Sequence, residues 1–124
     1  MKAVGLDAIE IERVAEAIER HGDRFLARVY TDEERRVASN AGDAAAQFYA
    51  GRFAAKEAVL KALGTGYAKG LAFHEVEILR APEGAPTIVL HGEVKARAAA
   101  LGITKILVSI THNRTDAHAV AVAE

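Results

Sequence analysis

Residues 51–66, GRFAAKEAVLKALGTG, constrain this chain more than any other segment. They read as the second half of a strong helix, rich in Ala, Leu, Lys and Glu and stopped by glycines. At about 100° per residue, Phe48, Phe53, Val59, Leu60 and Leu63 form one broad apolar arc, and Ala54, Ala55, Ala58 and Ala62 cover much of the rest. A helix apolar on most sides is a buried helix, so the fold has to be built around it. Yet Arg52 and Lys56 project from the middle of the arc, and Glu57 and Lys61 from its edge. An isolated buried charge costs on the order of several kcal/mol. These four side chains therefore either form internal ion pairs or line a site for a charged ligand. Glu57 and Lys61 also stand at i, i+4 in the favourable order, a pair worth about 0.3–0.5 kcal/mol by itself.

The rest of the chain is consistent with one domain spanning residues 1–124, with about half of the residues apolar, too many for a disordered chain. A formal net charge of −1 gives no broad attraction to nucleic acid or to an anionic membrane, so neither is expected as a partner. Any basic binding surface must be local. There is no cysteine, which excludes disulfides and thiolate chemistry, and a cytoplasmic location is expected. No secretion signal is visible, and no run of about 18 apolar residues occurs that would cross a membrane.

Residues 2–8 form an apolar stretch ending at an acid, consistent with a strand that delivers Asp7 to a sheet edge. Asp7 also precedes an amphipathic helix at residues 9–20, where an N-cap favours aspartate. A short helix or turn follows at 24–30. Thr31 and Glu34 make a capping box for the next helix, which ends near Gly42. Asp43 is placed to cap the long helix that runs to Leu63. The second half changes character. Residues 73–79 alternate, with Val76 and Ile78 on one face and Glu75 and Glu77 on the other, and 87–91 return as a second strand after the turn at 81–86. A helix at 93–101, closed by Gly102, precedes strands at 105–111 and 117–122, joined by a polar turn. Helices cluster in the first half and antiparallel strands in the second, which predicts the α+β class.

Three segments resemble one family. FAAKEAVLKALGTG at 53–66 is similar to the signature of the holo-acyl-carrier-protein synthases, the small 4'-phosphopantetheinyl transferases. Gly5-Leu-Asp7 with Ile11-Glu-Arg13 resembles the family's amino-terminal motif, and Ser109-Ile-Thr-His112 its motif near the carboxy terminus. All three stand in the family's order. The resemblance implies a 4'-phosphopantetheinyl transferase-like fold. It also implies transfer of 4'-phosphopantetheine from coenzyme A to a serine of an apo acyl carrier protein, leaving adenosine 3',5'-bisphosphate, in support of fatty-acid or polyketide synthesis.

In that reading Asp7 and Glu57 bind Mg²⁺, a hard cation that takes one or two carboxylates together with phosphate oxygens. Lys61 neutralises the leaving phosphate, and the serine proton goes to Glu57 or to a water. Coenzyme A carries several phosphates and calls for several cations, here Arg52, Lys56 and Lys61. A lysine suits a diphosphate as a point charge, whereas an arginine fork suits a terminal phosphate. The resemblance adds Phe53, Gly64, Thr65, Gly66, Ser109, Thr111 and His112 to the coenzyme A site. Gly64 also reads as a plain helix stop. A serine-hydrolase pairing of Ser109 with His112 is disfavoured, because a regular strand turns the two side chains to opposite faces. His74, His91 and His118 show no metal-ligand spacing and read as strand residues.

The family is trimeric, with coenzyme A between subunits, and a homotrimer is expected here. An acidic carrier calls for a basic docking surface, and Arg13, Arg20, Arg24 and Arg28 supply one, although Arg20 is also spaced to pair with Glu16. The chain departs from the family at two places. Asp116 stands where an aromatic residue usually opens the last strand. Residues 40–46 contain none of the basic residues that often precede the long helix. The same carboxylates and cations would equally serve a metal-dependent phosphohydrolase, or a nucleotide-binding module without activity.

Overall fold

The computed structural model describes residues 2–64 and 72–124 of the chain. Its centre is the long helix α4, Ala45–Ala62, in which Ala50, Ala54, Ala55, Ala58, Val59 and Leu60 are fully buried. Three antiparallel strands lie against it in the order β1-β5-β4: β1 is Ala3–Glu10, β4 is Ile106–His112 and β5 is Asp116–Ala123. Along β5, Ala117, Ala119, Ala121 and Ala123 are buried on the face that meets α4, while His118, Val120 and Val122 turn the other way. Alanines on both partners let the helix and the sheet approach closely. The approach is tightest at Gly5, where an added Cβ would lie 1.9 Å from the carbonyl oxygen of Ala58. No side chain fits there, which is the physical reason for glycine two residues before Asp7.

The remaining elements close around this unit. Helices α1 (Ile11–His21), α2 (Asp23–Val29) and α3 (Asp32–Ser39) bury Ile11, Val14, Val29 and Ala38 in the common core. A second, two-stranded antiparallel sheet pairs β2 (Val76–Arg80) with β3 (Pro86–Leu90), and α5 (Gly92–Ala100) follows it. The α+β expectation holds, and so does the capping box. Thr31 Oγ1 accepts from Glu34 N, and Glu34 Oε1 accepts from Thr31 N.

Several local expectations are corrected. Asp7 lies inside β1, which runs on to Glu10, so it is not the cap of α1. Asp43 does not cap α4 either. It sits in the 3-10 turn Gly42–Ala44, whose own backbone bond, Ala44 N to Ala41 O, feeds directly into the helix. Phe73–Glu75 is a 3-10 turn, and β2 begins after it. His74 therefore lies in that turn and His91 just beyond β3, and of the three histidines only His118 is in a strand. Asp116 is held by a polar turn instead of aromatic packing: its N–H donates to Asn113 Oδ1, and its Oδ2 accepts from Thr115 Oγ1.

Candidate active site

β1 and α4 bring three motif residues together. Asp7 turns inward from the strand, and Lys61 Nζ reaches it at 3.0 Å while also donating to the carbonyl of Leu6. Glu57, one helical turn before Lys61, is only 9% exposed. Its Oε2 is a buried acceptor without a hydrogen-bond donor among the described residues. Desolvation raises the Glu57 pKa first, the neighbouring charge of Asp7 raises it further, and Lys61 partly offsets both. The expected Glu57–Lys61 pair is thus replaced by an Asp7–Lys61 pair, because β1 lies closer to the lysine's tip. Two carboxylates side by side, one buried and keeping a free oxygen, form a donor set that suits a hard dication. The residues fit Mg²⁺ on that ground.

The four charges of α4 divide between the two roles open to them. Lys56 is fully buried, and its Nζ donates to Glu34 Oε1 at 2.8 Å and to the carbonyls of Phe73 and Val76. Glu34 Oε2 accepts in turn from Ile78 N at 2.8 Å. Lys56 is therefore an internal ion pair tying α4 to α3 and β2, and its expected contact with coenzyme A is corrected. All three of its ammonium donors are used inside the core. Arg52 takes the other role. It is 6% exposed, its guanidinium lies 4.2 Å above the Phe48 ring, and its Nε has no acceptor among the described residues. Glu57 stands five positions after Arg52, which puts them about 140° apart around the helix axis.

The carboxy-terminal motif divides in the same way. β4 is regular through Ser109, Thr111 and His112, so Ser109 and Thr111 face outward while His112 turns to the α4 side and lines a cleft with Arg52. That alternation separates Ser109 from His112 and removes a hydrolase-type pairing. Ser109 and Thr111 do not join Asp7 within this chain, since the sheet lies between them. Phe53 is half-buried against the ring of Phe73, 5.2 Å between centroids. Gly64 follows α4 with φ of +74° and donates its N–H to the carbonyl of Lys61, which supports the helix-stop reading. Thr65 and Gly66 lie outside the described residues.

Arg13 and Arg20 on α1, with Arg24 and Arg28 on α2, are exposed. They line two shallow depressions that share His21, the first of which also carries Glu16. Among the described residues no ion pair joins Arg20 to Glu16. Arg80, at the end of β2, belongs to no motif of the sequence, yet it lines the same cleft as Arg52 and His112. Only the folding of β2 alongside α4 brings it there. Among the described residues no group of three or more His, Cys, Asp or Glu is arranged as a metal cluster, and no helix is long and apolar enough to cross a membrane.

Comparison with known proteins agrees with this geometry. The family model described as the 4'-phosphopantetheinyl transferase superfamily matches residues 3–123. The chain is 48% identical over 124 residues to the holo-[acyl-carrier-protein] synthase of Solidesulfovibrio magneticus, covering 100% of this chain and 98% of that one. It is 46% identical over 123 residues to the Nitratidesulfovibrio vulgaris protein of the same name, covering 98% and 96%. Among solved structures, the Neisseria meningitidis holo-[acyl-carrier-protein] synthase superposes with a TM-score of 0.90 at 28% identity, covering 100% of this chain and 98% of that one. The Helicobacter pylori enzyme, solved in complex with coenzyme A, superposes with a TM-score of 0.85 at 31% identity, covering 98% and 99%. The inward-facing Asp7 and Glu57, the helix that carries Lys61 and this full-length similarity agree: the chain belongs to the 4'-phosphopantetheinyl transferase superfamily, among the holo-[acyl-carrier-protein] synthases.

Proposed function

We infer that this chain transfers 4'-phosphopantetheine from coenzyme A to a serine hydroxyl of an apo acyl carrier protein. The serine oxygen forms a bond to the phosphorus that bears pantetheine. The P–O bond to the nucleotide breaks, and adenosine 3',5'-bisphosphate leaves. The observation that carries this reading is the meeting of Asp7, Glu57 and Lys61 on the motif positions of the family. Asp7 and Glu57 would hold Mg²⁺, which when bound supplies charge neutralisation on the diphosphate. Lys61, half-exposed, is free to shift from Asp7 towards the phosphate that leaves. Glu57, with a carboxylate oxygen that has no donor among the described residues, is suited to accept the serine proton. In such phosphoryl transfer, positioning and charge supply most of the catalysis.

The assembly proposed is a homotrimer acting in the cytoplasm. Its support is the outward face of the three-stranded sheet. There Val4, Val122 and Leu107 align across the three strands, and Leu6, Val120 and Ser109 align beside them. Val4 is 56% exposed and Leu6 67%, an apolar patch of the kind that marks an interface. Arg52 and Glu57 point to different sides of α4, so one coenzyme A that engages both does so most simply across a subunit boundary. The acidic carrier is assigned to the surface of Arg13, Arg20, Arg24 and Arg28.

The decisive experiment incubates the protein with coenzyme A, Mg²⁺ and an apo carrier, then weighs the carrier. A gain of one phosphopantetheine is expected. Hydrolysis of coenzyme A without any carrier would favour a phosphohydrolase instead. Unaltered coenzyme A after long incubation with several carriers would leave a binding module without activity.

A further inference from the structure

Between α4, the turn that opens it and the end of β4 lies a cleft of about 340 Å³ that the metal acids do not reach. Arg52 enters it from α4, Arg80 from the last residue of β2 and His112 from the last residue of β4. Among the described residues no carboxylate lines it. In the neighbouring cavity Glu33 is bound to Arg36 and Glu34 to Lys56, and among the described residues neither forms an ion pair with Arg52. Burial first, and the positive charge of Arg80 second, hold the Arg52 guanidinium below its ordinary pKa range, and the more distant charge of Glu34 offsets them only in part. Two like charges, one of them buried with an unpartnered Nε, are unfavourable until an anion lies between them. Both are also pre-oriented. Phe48 sets the plane of Arg52, and Arg80 Nη1 donates to the carbonyl of Gly84 in the β2–β3 turn at 3.1 Å.

We propose that Arg80 joins Arg52 to clamp the terminal phosphomonoester of the bound nucleotide, and that Arg80 makes the site selective for nucleotides carrying that group. This rests on the coenzyme A reading above. The diphosphate belongs beside Asp7, Glu57 and Lys61, about 140° around α4 from Arg52, so the cleft is left for the phosphate remote from the reacting bond. A phosphomonoester is a near-dianion with three terminal oxygens, which suits two planar guanidinium forks. Residues 40–46, at the mouth of the cleft, contain no lysine or arginine. In this chain the second cation comes from β2 instead.

Calorimetry in Mg²⁺ buffer with adenosine 3',5'-bisphosphate and adenosine 5'-monophosphate tests the assignment, since the two probes differ only in that phosphate. The unaltered protein should bind the bisphosphate more tightly. Arg80→Ala should weaken the bisphosphate tenfold or more and the monophosphate less than twofold, and Arg80→Lys should recover part of the loss. Equal weakening of both probes, no weakening of either, or no preference in the unaltered protein would each overturn the proposal. The transferase reading fails separately, through the absence of any mass gain on the carrier, whatever the nucleotides do.

Discussion

Lys61 holds Asp7 by a 3.0 Å ion pair, while Glu57, on the same helix one turn earlier, keeps a buried carboxylate oxygen with no donor among the described residues. One acid is neutralised from within the chain, and the other keeps an oxygen unpaired among the described residues. That asymmetry leads to a first expectation about catalysis. Asp7→Asn and Glu57→Gln should both fold and both lose turnover by orders of magnitude, since each ~1.4 kcal/mol of lost charge stabilisation is about tenfold in rate. If the two serve one ion, as proposed, the double variant should be scarcely worse than the poorer single. Near-normal kcat in a folded Glu57→Gln protein, across a Mg²⁺ titration, would end the metal assignment.

The same carboxylate makes stability depend on pH. The folded-state pKa of Glu57 is raised above its unfolded value, so the folded protein holds that proton more tightly than the unfolded chain does. Without metal, the Glu57 contribution is fully favourable below the ordinary glutamate range and is lost as pH rises through the raised value. Mg²⁺ should restore it by compensating the ionised form. Melting temperatures from mildly acidic to neutral pH should therefore respond to Mg²⁺ most at the neutral end. In Glu57→Gln that response should largely disappear. A Mg²⁺ effect of equal size in the variant would contradict this account.

Gly5→Ala should be among the most damaging single changes in the chain. A Cβ at that position would collide with the backbone of α4, which cannot move aside as a side-chain tip can. Overpacking of this kind costs about 1–3 kcal/mol, and here it also displaces Asp7, two residues on. Both the melting temperature and kcat should fall. An unchanged melting temperature would show that the strand and helix are not held in this contact.

Lys56 and Glu34 should behave as a buried pair and not as ligand contacts. Lys56→Met leaves the buried Glu34 charge without its counter-ion, held only by the backbone N–H groups of Thr31 and Ile78, at a cost of about 3–5 kcal/mol. Adding Glu34→Gln should recover part of that loss, because it removes the stranded charge. The check is a double-mutant cycle in denaturant. Additive losses would mean that the pair does not interact.

Leu6→Glu places a charge in the apolar patch of the outward sheet face, on β1 beside Val120 of the central strand. It should shift sedimentation from trimer to monomer without unfolding the chain, since Leu6 is already exposed within one subunit. A variant that remains trimeric would remove this face from the interface.

The glycine-stopped helix, the capping box of Thr31 and Glu34 and the alternating strands were all legible in the sequence. Each follows from residues close together along the chain, where backbone geometry alone fixes which side chains share a face. The motif positions of Asp7, Glu57, Lys61 and Arg52 were legible too. Which of the charges on α4 served the core was not. Lys56 and Arg52 both project from the apolar arc, and only the arrival of α3 and the start of β2 against one, and of the ends of β2 and β4 beside the other, made Lys56 an internal pair and Arg52 an open donor. For the same reason Lys61 chose Asp7 over Glu57, and Arg80 reached the cleft without any motif to announce it. A charge's partner is set by what packs against it from distant parts of the chain, and that information exists only once the strands and helices have met.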